Sequence, residues 1–175
     1  MAELNKYRID RVFAAPLDLV WRAWTEPKIL AQWYGPGVET IIHKFDLQPG
    51  GEWLNEMKWG KKSDLSKMVF QEVDYQKKLV WRHYSTDDEW NVVANPMMEN
   101  WPREILTIVE FEADGGQTNV SLTLEAVNTT EAELACFAEK AAGLEKGWGS
   151  GFKVMDEVLE NLLNKQDELQ NYSFY

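Results

Sequence analysis

A chain of 175 residues, 45% of them hydrophobic, suits one folded domain with a core of its own, and no run of about 18 apolar residues is present to span a membrane. Its 29 acidic and 18 basic side chains leave a net charge of −11, which argues against binding to nucleic acid or anionic lipid, and no cluster of five or more Lys/Arg offers a local basic patch. The charged N-terminus MAELNKYRID lacks the apolar stretch of a secretion signal, and the lone Cys136 has no partner for an internal disulfide, so a cytoplasmic protein is expected.

In chain order, KYRIDRVF (6–13) alternates, with Tyr7, Ile9 and Phe13 on one face, and reads as a half-buried strand. Pro16 then opens PLDLVWRAWT, where Leu17, Val20, Trp21 and Trp24 fall at helical spacing. Pro27 ends that helix and starts a second, PKILAQWY, closed by Gly35-Pro36-Gly37. ETIIHKFDL is the next strand, and Pro49-Gly50-Gly51 turns it into EWLNEMKW. There Trp53, Asn55, Met57 and Trp59 alternate with Glu52, Leu54, Glu56 and Lys58, so the first set is expected to face inward. KMVFQEVDY and KLVWRHY form a further pair. EILTIVEF and TNVSLTLEAV form the last, across an Asp-Gly-Gly turn. Between these pairs lies a long loop, 85–103, carrying Trp90, Met97, Met98 and Trp101, apolar side chains that must tuck beneath it or meet a ligand.

The last third reads as one long helix. Thr130 with Glu133 three positions on is a capping-box pattern. From Leu134 through Phe137, Ala141, Leu144, Trp148, Phe152, Met155 and Leu159 to Leu162, apolar residues step by three or four along one stripe. Gly143, Gly147, Gly149 and Gly151 interrupt it, each costing roughly 1 kcal/mol against alanine, so a close backbone approach or a bend is expected there. The order strand, two short helices, six strands and a long helix predicts an α+β domain. A curved antiparallel sheet of about seven strands wraps the terminal helix, with a cavity where the two part. One domain over 1–175 is expected, its core at 5–165 and a tail at 166–175 that frays.

Several stretches carry a family resemblance: FAAPLDLVWRAWTEPKILAQWYGPG (13–37), FDLQPGGEW (45–53), EVDYQKKLVW (72–81), TIVEFEADGGQTNVSLTL (107–124) and EKGWGSGFKVMDEVLENL (145–162). In this order they resemble the START-like, helix-grip superfamily (SRPBCC). Within it they are most similar to the branch of the heat-shock protein 90 ATPase activator homologues. The chain departs from that pattern at Gln48, at Tyr75-Gln76, in the 85–103 loop and after Leu163. The resemblance implies a hydrophobic cavity between sheet and long helix. It leaves function open, because the superfamily includes lipid carriers, receptors, cyclases and a co-chaperone domain.

From the residues themselves, the expected cavity walls are Trp53, Met57, Trp59, Phe70 and Trp81 from the sheet and Trp148, Phe152 and Met155 from the helix, with Asn55, Glu72 and His83 as polar handles. Glu72 shares strand parity with Met68 and Phe70, His83 with Leu79 and Trp81, and His43 with Ile41 and Phe45. If all faced inward they would form a possible acid/base set, against the blander reading of polar residues at a sheet edge. One Cys and two His offer no zinc spacing, and GWGSG (147–151) follows no strand, so neither a metal nor a nucleotide cofactor is expected. The favoured reading is binding of a small hydrophobic or aromatic molecule without required catalysis. A chaperone partner and a cavity enzyme are the alternatives, and a monomer and a homodimer stay equally open.

Overall fold

The protein, seen here as a computed structural model, is described over residues 4–172, with side chains to Leu169. Its elements are β1 (Lys6–Phe13), α1 (Leu17–Thr25), α2 (Pro27–Trp33), β2 (Glu39–Phe45), β3 (Glu52–Trp59), β4 (Lys62–Asp74), β5 (Lys78–Ser85), β6 (Ile105–Asp114), β7 (Gln117–Ala126) and α3 (Glu131–Tyr172). The seven strands form one antiparallel sheet in the order β1-β7-β6-β5-β4-β3-β2. This is the expected α+β helix-grip architecture, with two short helices after the first strand and the long helix on the inner face.

Local chemistry explains most of the boundaries. Pro16 stands at the N-cap of α1 in an extended conformation, and Pro27 occupies the first turn of α2. In the β2–β3 turn Gly50 has φ +82, and a Cβ on Gly51 would sit 2.0 Å from the Asp46 carbonyl oxygen, so no larger residue fits. At the start of α3 the Thr130 hydroxyl accepts the Glu133 amide at 3.1 Å. The Glu133 carboxylate in turn accepts the Arg103 amide at 3.0 Å, tying the long loop to the helix.

Three features differ from the sequence reading. β4 begins at Lys62 rather than Lys67, because Gly60 at φ +60 makes a tight hairpin that carries the polar KSDLS into register with β3. α3 runs without interruption through its glycines and on to Tyr172, so residues 166–172 of the expected tail are helical, and 173–175 lie outside the described residues. Two strands also carry bulges, between Ile42 and Lys44 in β2 and between Phe70 and Glu72 in β4. An extra residue in a strand reverses the faces beyond it.

The core lies between the sheet, the two short helices and part of α3. Phe13, Leu19, Leu30, Trp33, Met68, Leu79, Val109, Phe152 and Met155 are all at most 1% exposed. Trp33 is locked there by its indole N–H, which donates to the Ala23 carbonyl at 2.7 Å, and by edge contact with the Trp24 ring at 4.7 Å. Arg11 on β1 clamps α3 from the sheet edge, pairing in bidentate fashion with Asp156 (3.0 and 2.6 Å) and donating to the Phe152 carbonyl.

Candidate functional site: an aromatic cavity under the long helix

α3 is seated at two places and bridges the space between them. Near its start Phe137 is fully buried against the Trp101 ring of the long loop, 5.6 Å between centroids. Further on, Gly151, Phe152, Met155, Val158 and Leu159 are buried against the short helices and the sheet. Between these anchors Leu144 and Trp148 are the large apolar side chains that pack inward among the described residues, and both are half-buried. Beneath that span lies a cavity of about 910 Å³, at the upper end of the usual size for small-molecule sites.

Rows of cross-strand neighbours make its floor. Trp81, Thr107 and Leu124 stand side by side on β5, β6 and β7, and His83 and Ile105 form the next row. Met57 and Trp59 at the end of β3 supply one wall. Trp33, Tyr34 and the Gly35–Val38 turn supply another, Trp101 reaches in from the loop, and α3 from Gly143 to Gly151, without Glu145 and Gly149, forms the roof. Gly35 is needed where it stands: its φ is +79, and a Cβ would lie 2.7 Å from the Thr40 hydroxyl. The Trp148 ring lies nearly parallel to Trp24, 6.2 Å away, so the roof is tied to the core by aromatic contact.

The polar side chains here are few, and Lys146 is the one charged group among the described lining residues. The His83 imidazole makes no hydrogen bond among the described residues, and burial lowers its pKa from 6.5 to about 4, so at neutral pH it is a neutral imidazole with one donor and one acceptor. The Tyr34 phenol is pushed up by burial and then by the Asp64 carboxylate, which keeps it protonated. The indole N–H of Trp81 is buried without a partner among the described residues, as is the amide nitrogen of Asn55. Each such donor is unfavourable to leave unpaired, on the order of 1–3 kcal/mol.

The eleven side chains expected at the site divide three ways. Met57, Trp59, Trp81, His83 and Trp148 line the cavity. Trp53, Asn55, Phe70, Phe152 and Met155 face inward but lie in the packed core beside it. Asn55 is held there because its carbonyl oxygen accepts the Trp53 indole N–H at 3.2 Å. Glu72 corrects the reading by parity. The β4 bulge turns it to the outer surface, where it lies 3.6 Å from Lys78, so it does not meet His83. His43 is turned outward by the β2 bulge in the same way, and bonds Glu56 at 2.8 Å under the Trp90 ring. Ser63 also donates to Glu56, at 2.6 Å, so this outer cluster has no serine directed at the imidazole.

The sequence reading did not place Trp33, Tyr34, Trp101, Thr107 or Leu124 in the wall. Thr107 and Leu124 share the inward parity of their strands and were legible in principle. Trp101 was not, because a loop has no period to read. Among the described residues no helix is long and apolar enough to cross a membrane, and no cluster of three or more His, Cys, Asp or Glu stands ready for a metal.

A curved sheet gripping a terminal helix over an apolar cavity defines a helix-grip protein. The sequence profile of the family described as activator of Hsp90 ATPase homolog 1-like protein matches residues 14–160, and the chain belongs to that family. A solution structure of a protein from Arthrobacter aurescens superposes with a TM-score of 0.77 at 17% identity, covering 92% of this chain and 90% of that one. A crystal structure from Mycobacterium smegmatis gives 0.73 at 19%, covering 89% and 91%. One from Nitrosomonas europaea gives 0.71 at 22%, covering 94% and 99%. At these identities the likeness is one of fold. No curated protein matches the chain.

Proposed function

We propose that this protein binds a small, largely aromatic molecule in the cavity beneath α3. The observation that carries the reading is the wall itself: Trp33, Trp59, Trp81, Trp101 and Trp148 around a space of about 910 Å³, with neutral His83 among them. Apolar walls with a few polar groups to fix orientation are the usual construction of a small-molecule site. The tryptophan faces hold a flat ligand, and His83 both donates to it and accepts from it. Within this reading Trp81, Trp148 and His83 make the principal contacts. Apolar contact carries most of the retention, since Lys146 is the one charged side chain among the described lining residues.

Native mass spectrometry of the purified protein, set against its denatured mass, tests this directly. A defined extra mass that disappears on denaturation is expected. A clean apo mass, together with unchanged tryptophan fluorescence across a panel of two- and three-ring aromatics, overturns the reading.

The family description supports a second reading, in which the protein partners a chaperone through its surface. Large exposed apolar side chains are spread over β1 (Val12), the β4–β5 turn (Tyr75) and the long loop (Val92 and Met97), which favours the cavity over the surface as the working part. Binding to purified Hsp90, with stimulation of its ATPase, would reverse that preference.

A further inference from the structure

The roof of the cavity carries two large side chains, Leu144 and Trp148, and beside them a flank that includes three glycines. The face of α3 above the cavity runs Gly143, Lys146, Gly147, Ser150 and Gly151, at the spacing that puts residues on one helix face. Two kinds of glycine stand there. At Gly151 an added Cβ would lie 3.2 Å from the Trp33 carbonyl oxygen and 3.8 Å from Pro36, so packing of α3 on the preceding segment requires glycine. At Gly143 and Gly147 an added Cβ would meet nothing within 4 Å, and neither residue has a positive φ. Neither sterics nor the backbone asks for glycine at these two positions, yet each weakens the helix by about 1 kcal/mol relative to alanine.

Exposure shows what these positions border. Among the described residues, the cavity-lining ones that are also solvent-exposed fall on two segments: Gly37 in the turn, and Gly143, Lys146, Gly147 and Ser150 on α3. The rim of the cavity therefore runs between that turn and that helix face. It is closed where Gly151 meets Pro36 and opens toward Gly147 and Gly143.

We propose that this gap is the entry portal of the cavity, and that glycine at 143 and 147 keeps it wide enough to admit a planar ring system. This rests on the binding reading above. α3 bridges the opening between its two seats, so a side chain at 147 projects into the passage without disturbing the packing of either. The helix gives up stability at these two positions to leave the passage clear.

Stopped-flow fluorescence with 1-anilinonaphthalene-8-sulfonate and with 2-naphthol tests the assignment on the full chain. The comparison is Gly147→Leu against Gly149→Leu. Gly149 lies on the same helix, also has open space at its Cβ, and does not line the cavity. A portal slows passage in both directions. Gly147→Leu is thus expected to lower association and dissociation rates together, by about tenfold or more, with Kd nearly unchanged, while Gly149→Leu matches the wild type. Gly143→Leu acts in the same direction. Should the leucine variants fail to fold, Gly147→Ala, which the helix favours, carries the test with a smaller slowing and a raised Tm. Rates for Gly147→Leu equal to those for Gly149→Leu overturn the portal while leaving the binding reading intact. So does weaker affinity at an unchanged association rate, which would make Gly147 a wall. A wild type that takes up neither probe overturns both.

Discussion

The two halves of the helix–sheet interface solve opposite problems with one continuous stripe. From Gly151 to Leu159, α3 is packed to exclusion: Phe152 meets Phe13 edge-on at 5.4 Å, and Met155 is fully buried. One helical turn earlier, Trp148 is only half-buried and faces open space. β3 is divided in the same way, with Trp53 and Asn55 in the core and Met57 and Trp59 on the cavity. The same alternation of apolar residues thus yields core where something packs opposite and a cavity wall where nothing does. Close packing is concentrated in the first half, and the second half is left open.

The sharpest way to break this comparison is a pair of truncations. Phe152→Ala opens a hole in close-packed surroundings and is expected to cost about 3–5 kcal/mol in denaturant unfolding. Trp148→Ala removes a larger side chain but leaves no new enclosed void, and is expected to cost less than about 2 kcal/mol while sharply weakening uptake of an aromatic probe. Equal losses for the two would mean that the cavity half carries the fold as well.

His83 tests the cavity half by pH. In the folded protein it takes up a proton near pH 4, and in the unfolded chain near 6.5. As pH falls below 6.5 the unfolded chain therefore binds more protons, and stability declines until about pH 4, where both states are charged. Unfolding free energies of wild type and His83→Gln, measured from pH 7 to pH 4, are expected to diverge, with the variant flatter across that window. Parallel curves would mean that the imidazole is well solvated in the folded state.

The smallest effect concerns the clamp on the packed half. Asp156→Asn breaks the ion pair with Arg11, whose side chains are 30% and 43% exposed. Such half-solvated pairs contribute little, so a loss of less than about 1 kcal/mol is expected, falling further at high salt. A loss rivalling that of Phe152→Ala would make the clamp, rather than the core, the main hold on α3.

Much of this was legible in the residues. The alternation in 52–59, the prolines at 16 and 27, the Pro-Gly-Gly turn and the stripe from Leu134 to Leu162 sufficed for the order of elements, because each signal is local. Glu72 and His43 show where such reading stops. Each sits next to a bulge, and a bulge is a property of the ladder between strands, not of the strand that carries it. Trp101 shows a second limit, since its place against Phe137 depends on how a long loop returns to a helix far along the chain.

By itself, then, the sequence determined the class of fold, the inward face of β3 and the apolar stripe of α3, since backbone periodicity and turn chemistry act over a few residues. Only the tertiary structure decided which inward-facing residues are core and which are cavity. That division depends on what lies opposite each side chain across the interface, and so on the two seats of α3 and the span between them.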